Sequence, residues 1–154
     1  GFRPLYAPQG GVPVRNNALH FLAVDTIPER SGQILQVELE DILPPEGQVP
    51  SQHYRLAVEL GEIKQPIIVE LTGRVSRYNL IHTANYRVYD PVSGANLHQG
   101  NAKRVSSYNV STADFSTYTA ERDARERGLK ELAQDLVMRL AAAFEAPNSP
   151  IEAP

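Results

Sequence analysis

Residues 111–146 read STADFSTYTAERDARERGLKELAQDLVMRLAAAFEA and predict one long amphipathic helix. Pairs spaced four residues apart with the acid first, such as Glu121 with Arg125, support a solvated helix face. Roughly thirty helical residues at about 1.5 Å each give a rod of about 45 Å. So long an apolar stripe needs an equally long apolar partner surface. The residues that recur at steps of three and four, and therefore share one helix face, are Leu129, Leu132, Leu136, Leu140 and Phe144.

The chain before this helix carries the pattern of strands. Apolar and polar residues alternate with period two over residues 54–60, 78–89 and 97–108, which is typical of strands with one buried face. Residues 18–27 have apolar side chains on both faces and predict a first strand that is covered on both sides. The run from Gly61 to Pro66 predicts a break or bulge in the second strand.

A shorter helix is predicted between the first two strands. Pro28 suits its first turn, and the pair Pro44-Pro45 ends it. The element order is then strand, helix, three or four long antiparallel strands, and the long helix. We therefore predict an α+β fold, a two-layer sandwich with a mainly antiparallel four-stranded sheet. Its two helices, one of them long and C-terminal, pack on one face of the sheet.

The length of 154 residues predicts one domain, which we assign to residues 18–146. Residues 1–17 are rich in Pro and Gly and predict an extended N-terminal segment, and residues 147–154 predict a flexible C-terminal tail. The N-terminal segment carries Phe2, Leu5 and Tyr6, which we expect to dock onto this domain or a partner.

Composition excludes several classes of protein. Cysteine is absent, which excludes a disulfide framework, a thiol nucleophile and a cysteine-ligated metal. No apolar run approaches the roughly 20 residues that a membrane-spanning helix needs. Because the chain begins at Gly1 rather than Met, we expect a mature or trimmed form, from which any signal peptide would be missing.

The net charge of −3 hides a basic middle segment. Between Leu71 and Ala113 the single acid is Asp90, against five bases. Such a segment attracts phosphate-bearing partners or acidic proteins, although the same residues also fit solvated strand faces that the acidic helices balance. The five bases are Arg74, Arg77, Arg87, Lys103 and Arg104.

The sequence offers little for catalysis, a metal or a cofactor. The histidines His20, His53, His82 and His98 lie on or beside predicted strands without the spacing of metal ligands. We expect His82, on the face that carries Leu80 and Ala84, to be a hydrogen-bonded core residue. Serine-nucleophile and phosphate-loop motifs are absent. We therefore predict no enzyme activity, no metal site and no cofactor.

Tyrosines in the basic segment raise the possibility of RNA bound on the sheet. Tyr78, Tyr86, Tyr89 and Tyr108 all lie there. No RNP-like motif accompanies them, and the overall acidity argues against nucleic acid as a partner. In sheets, tyrosine more often serves as a half-buried cross-strand residue.

Six short segments, spread in order over nearly the whole chain, carry a family resemblance. They are GFRPLY at residues 1–6, RSGQ at 30–33, Tyr54-x-Leu56, YRVYD at 86–90 followed by Ser93-Gly94, SYN at 107–109, and YTAERDA at 118–124. In this order they resemble the LptE-type lipopolysaccharide-assembly lipoproteins. The acylated cysteine of that family is missing, and the resemblance places it just before Gly1 of the native protein.

The resemblance implies a non-catalytic lipoprotein, anchored by its lipid to the periplasmic face of the outer membrane. Members of this family plug the large β-barrel LptD, assist its assembly and help to deliver lipopolysaccharide to the cell surface. Phe2, Leu5 and Tyr6 would then lie near the membrane, beside the lipid anchor. The basic residues through which family members touch lipopolysaccharide do not map onto basic residues here. We therefore nominate the five bases above as lipopolysaccharide contacts from local charge alone, since Arg and Lys pair with phosphate.

Two other classes of function remain open. A stand-alone periplasmic binding module for an anionic lipid or glycan predicts an enclosed apolar pocket. A small hydrolase using His82 or His53 predicts one of these histidines within hydrogen-bonding distance of an acid in a cleft.

Overall fold

The computed structural model describes residues 22–44, 54–68, 71 and 73–145. The predictions for residues 1–17 with Phe2, Leu5 and Tyr6, for His20 and His53, and for the tail after residue 146 lie outside the described residues. In chain order the elements are β1 Leu22–Val24, α1 Glu29–Ile42, β2 Tyr54–Ile68, β3 Val75–Tyr89, β4 Asn96–Asn109 and α2 Asp114–Glu145.

The four strands form one sheet in the order β1-β2-β3-β4. β2 with β3 and β3 with β4 are antiparallel over almost their full lengths, whereas β1 is parallel to β2. The α+β prediction is therefore confirmed, with a mixed sheet. The parallel pair arises because α1 carries the chain back along the sheet between β1 and β2, as a parallel connection requires.

The predicted break in the second strand is wrong. β2 pairs with β3 without interruption from Arg55 to Ile67. The backbone N–H of Asp25 donates to the carbonyl of Leu56 at 2.8 Å, so the backbone groups of Leu56 point away from β3. Pro66 lies ten residues on and points the same way, since strands have a period of two. No described strand lies on that side of Pro66, so its missing N–H costs no hydrogen bond within the sheet.

Both helices cover one face of the sheet, as predicted. Leu129, Leu132, Leu136 and Leu140 are fully buried, and Phe144 is 8% exposed. They pack in one core with α1 and with the inward residues of the strands. Each fully buried Leu contributes about 1.5–3 kcal/mol relative to an exposed one. The predicted stripe is thus the main apolar contact between α2 and the rest of the domain.

The opposite side of the sheet, here called the open face, is not covered by any described element. Alternation along β3 places the exposed side chains of Asn85 and Arg87 there, as predicted. One apolar row crosses it from Ile63 through Ile81 to Val105, which are paired neighbours in the three long strands. Ile63 is 61% exposed and Val105 is 49% exposed.

Candidate functional site

Glu62 is a charged side chain on the covered face of the sheet, and it has three kinds of partner. Arg125 of α2 donates from Nε and Nη2 at 3.1 Å to each carboxylate oxygen. Ser31 of α1 donates at 2.7 Å, and Nε2 of His82 lies 2.8 Å from Oε1. Burial raises the pKa of Glu62, but the hydrogen bonds from Arg125, Ser31 and His82 outweigh it and lower the pKa to about 2. An ionised carboxylate only accepts hydrogen bonds, so Nε2 of His82 carries the proton.

Glu121, one turn before Arg125 on α2, is a second ionised carboxylate. Arg125 Nη2 donates to it at 2.8 Å, Tyr108 OH at 2.8 Å and Lys64 Nζ at 3.1 Å. Burial raises its pKa, while these three donors lower it to about 2. The Lys64 ammonium also lies 4.5 Å from the centroid of the Tyr78 ring, a cation–π contact.

Together these side chains form one polar cluster, here called the carboxylate network. Because its members come from α1, β2, β3, β4 and α2, it joins both helices to all three long strands. Each acid is ionised and surrounded by donors, which is an arrangement that fixes the helices on the sheet. It leaves no carboxylic acid available to exchange a proton near neutral pH. The members are Ser31, Glu62, Lys64, His82, Tyr108, Glu121 and Arg125.

A hydrolase would need a histidine that is both hydrogen-bonded to an acid and accessible in a cleft, and His82 has only the first property. It has an acid at hydrogen-bonding distance, but its ring is completely buried. Its Nδ1 and the hydroxyl of Ser106 have no hydrogen-bond partner among the described residues. Both lie against Gly128, where α2 approaches the sheet so closely that a Cβ at this position would be 2.8 Å from Ser106 Oγ. The helix therefore covers this histidine, and the prediction of a core imidazole is confirmed.

Two concavities lie on the described surface. One, of about 420 Å³, lies between α1 and α2 over the carboxylate network, with Arg30, Tyr118 and Arg122 on its rim. The other, of about 1000 Å³, is open and is bordered by polar side chains of the open face, including Glu59, Asn85 and Asn101. Neither is the enclosed apolar pocket that a stand-alone lipid-binding module predicts.

The five predicted basic residues do not form one compact patch. Arg77, Arg87 and Lys103 lie on the open face, Arg74 precedes β3, and Arg104 lies on the covered face. Lys103 pairs with Thr83, so along the strands it lies about 13 Å from Arg87 and about 20 Å from Arg77.

Arg74, Arg87 and Arg104 each have an intramolecular contact. Arg87 donates to the side-chain carbonyl of Asn96 at 2.8 Å and lies 4.4 Å from the centroid of the Tyr89 ring. Arg104 is 3.6 Å from Glu131 of α2. The role of all five in binding lipopolysaccharide stays a prediction.

Among the described residues there is no group of three or more His, Asp or Glu that could hold a metal ion. The same residues include no helix that is both long and apolar enough to cross a membrane.

A family model described as "LptE: Lipopolysaccharide-assembly" matches residues 9–140 of this chain. The chain belongs to the LptE family. The resemblance drawn from the six short segments is thereby confirmed, and with it a role in lipopolysaccharide assembly. No curated protein matches the chain in a sequence comparison.

Solved structures share the LptE-family fold at low sequence identity. A candidate lipoprotein from Caulobacter crescentus is 20% identical, with a TM-score of 0.68 over 84% of this chain and 95% of that chain. Rare lipoprotein B from Shewanella oneidensis is 12% identical, with a TM-score of 0.59 over 79% of this chain and 92% of that chain. A minor lipoprotein from Acinetobacter baumannii is 19% identical, with a TM-score of 0.57 over 79% and 91% of the two chains. At such identities the likeness shows a common fold.

Proposed function

We propose that this LptE-family chain is a non-catalytic outer-membrane lipoprotein that plugs an LptD-like β-barrel and assists its assembly. The observation that carries the proposal is the family match over residues 9–140. In this role the protein acts in lipopolysaccharide transport from the periplasmic face of the outer membrane. Its anchor is an acylated cysteine directly before Gly1, and more than one acyl chain is needed for stable attachment.

The open face supports a plug because the lumen of an outer-membrane barrel is polar. Amide and hydroxyl side chains from three strands line it in register, for example Gln65 beside Asn79 and Asn85 beside Asn101. These groups can exchange hydrogen bonds with a polar wall or with trapped water. The bulk of the apolar core lies on the other side of the sheet, under the helices.

The carboxylate network supports a role without chemistry. A plug must keep one shape while it is enclosed, and the network joins five elements through ionised, fully engaged side chains. The buried His82 is the described residue that most resembles a general base, and α2 covers it. We therefore assign Glu62 and Glu121 to the stability of the fold.

We also propose that basic residues of this chain contact lipopolysaccharide. Arg77, Arg87 and Lys103 on the open face are candidates to pair with its phosphates. Arg74, directly before β3, is a fourth candidate. Their spacing suits separate phosphate contacts more than one chelating site. Arg104, on the covered face beside Glu131, is the weakest of the five candidates.

The assembly role is tested by affinity purification of the tagged, full-length precursor from detergent-solubilised outer membranes of its own host. The proposal expects a large β-barrel protein in near-equal amount, and acyl chains on the N-terminal cysteine by mass spectrometry. A chain recovered alone and without acyl groups would overturn it and favour the stand-alone binding module.

The lipopolysaccharide contacts are tested separately with the purified domain. A triple charge reversal of Arg77, Arg87 and Lys103 to Glu is compared with a control reversal of Arg30, Arg122 and Lys130 on the helical side. Binding to immobilised lipopolysaccharide should fall at least about tenfold in the first variant and little in the second, because phosphate pairing depends on local charge. Equal binding by both variants would remove these residues from the proposal.

A further inference from the structure

β4 is an edge strand that has no neighbouring strand on its outer side among the described residues. It pairs with β3 along almost its whole length, from Asn96 to Asn109, and it ends the sheet order. The other edge of the described sheet is less regular. There the short β1 covers the beginning of β2, and further along β2 Pro66 interrupts the row of outward N–H groups. β4 contains no proline. It is thus the more complete of the two templates for another strand.

The backbone groups that point outward from β4 can be identified residue by residue. Arg127 of α2 donates to the carbonyl of Ser107 at 3.3 Å, which shows that the backbone of Ser107 faces away from β3. The period of two then places Val105, Lys103, Asn101 and Gln99 in the same orientation. A register shift near Val88 and Tyr89 of β3 ends this regular run close to Leu97. The segment 99–105, here called the free edge, therefore offers four residues whose N–H and carbonyl groups are not used by β3.

The side chains beside the free edge define what could pair with it. Val105, 49% exposed, ends the apolar row of the open face, and Lys103 is exposed two residues away. No acid occurs anywhere in β4. A neighbouring strand would place one side chain next to Lys103 and another next to Val105 on the same face. Cross-strand pairs of opposite charge and of apolar groups stabilise a sheet, so that strand should carry an acid and an apolar residue two positions apart.

A second copy of this chain fits the free edge poorly. The antiparallel register that uses all four outward residues of the free edge pairs Lys103 with Asn101 and leaves the two Lys103 ammonium groups as diagonal neighbours. Neither ammonium group then faces a carboxylate, because β4 contains no acid. The charge of the edge thus disfavours self-association and favours an acidic partner.

The geometry points to the free edge of β4, residues 99–105, as a docking site for one β-strand of another protein, with a carboxylate facing Lys103 and an apolar side chain facing Val105. The main-chain groups supply the affinity in this mode of recognition, and the two side chains supply the selectivity. The inference is independent of the barrel partner proposed above, because it concerns the edge of the sheet and not its face.

The test uses the purified chain and a blocked heptapeptide, Thr-Val-Thr-Glu-Thr-Val-Thr, which presents Glu and Val on one face in either strand direction. Amide hydrogen exchange is followed by NMR at Asn101, Lys103 and Val105. These amides should exchange rapidly in the free chain and at least about fivefold more slowly with saturating peptide. A peptide with Lys in place of Glu should bind about fivefold more weakly, as expected for opposed like charges.

Two variants make the outcome specific. Lys103→Glu should reverse the preference between the two peptides, and its effect does not depend on changes to the backbone. Val105→Pro should abolish binding while the sheet stays folded, because the N–H of Val105 is not bonded to β3; circular dichroism and the melting temperature check this.

Four results would overturn the inference. These are equal binding of both peptides, an unchanged preference in Lys103→Glu, amides already protected in the dilute free chain, and protection that rises with protein concentration alone. The third would mean that another part of the chain occupies the edge, and the fourth that a second copy does.

Discussion

Replacing Glu62 by Gln tests whether the carboxylate network holds the two layers together. The substitution keeps the size of the side chain and removes its charge. Arg125 and His82 then lose an ionised acceptor while they remain largely buried. We expect Glu62→Gln to be clearly less stable than the unmodified chain at pH 7.

The size of the effect follows from the pKa of Glu62, which falls from 4.5 to about 2 on folding. Each tenfold change in proton affinity corresponds to about 1.4 kcal/mol, so the full effect is about 3 kcal/mol. The side chain retains 27% exposure, and solvent screening reduces this figure to about 2 kcal/mol.

The sign of the pH dependence follows from the same lowered pKa. A group that is more acidic in the folded state stabilises the fold above its unfolded pKa and loses that contribution as the pH falls through its folded pKa. The stabilisation by Glu62 is therefore complete near pH 7 and disappears between about pH 4.5 and about pH 2. The difference between the unmodified chain and Glu62→Gln should shrink to less than half by pH 3.

Urea unfolding followed by circular dichroism at pH 7, 5, 4 and 3 measures this difference directly. Glu131→Gln is the matched control, because Glu131 forms a more exposed ion pair with Arg104 at 3.6 Å. Such surface pairs contribute about 0–1 kcal/mol. Equal stability of Glu62→Gln and the unmodified chain at pH 7, or a constant difference between them from pH 7 to pH 3, would mean that the ionised Glu62 does not stabilise the fold.

Three further predictions concern the packing of α2 and the edge of β2. Gly128→Ala should lower the unfolding free energy by about 1–3 kcal/mol, because the added Cβ would lie 2.8 Å from Ser106 Oγ. Adding Ser106→Ala should recover part of the loss. If the stability changes of the two single variants simply add in the double variant, this contact is contradicted. Leu136→Ala should cost about 2–5 kcal/mol, whereas Met138→Ala, at a position 69% exposed, should stay within about 0.5 kcal/mol; similar losses at both positions would mean that α2 faces the sheet differently. Pro66→Ala should leave the melting temperature nearly unchanged, since no described strand pairs with β2 on the side to which the backbone nitrogen of Pro66 points. A large fall would indicate a neighbour there.

Sequence patterns predicted those parts of the fold that depend on local periodicity. The α2 stripe from Leu129 to Phe144 was predicted because a helix of that length repeats its signal many times. The covered face of β3 followed in the same way from alternation at Leu80, His82 and Ala84. Both predictions depend only on neighbouring residues, and the structure confirms both.

Features that depend on distant pairing were not predictable in the same way. Gly61 and Pro66 read locally as a break, but Pro66 is tolerated because no described strand pairs with that side of β2, which only the strand order reveals. The parallel direction of β1 depends on the path of α1 and not on the residues of β1.

The carboxylate network gave a partial signal. Glu62 and Lys64 continue the inward alternation of Leu56, Val58 and Leu60, so charges on a covered face could have been noticed. Their partners could not be predicted from local patterns, because Arg125 is 63 residues from Glu62 along the chain and Glu121 is 57 residues from Lys64.

Site-specific photo-crosslinking tests whether a β-barrel encloses this chain. The full-length precursor is expressed in its own host with a photoreactive amino acid at Asn85 on the open face, or at Glu126 on the exposed side of α2. A barrel wall surrounds a plug, so both positions should yield an adduct with the same large β-barrel protein. An adduct from one position alone, or from neither, would mean that no barrel encloses the chain.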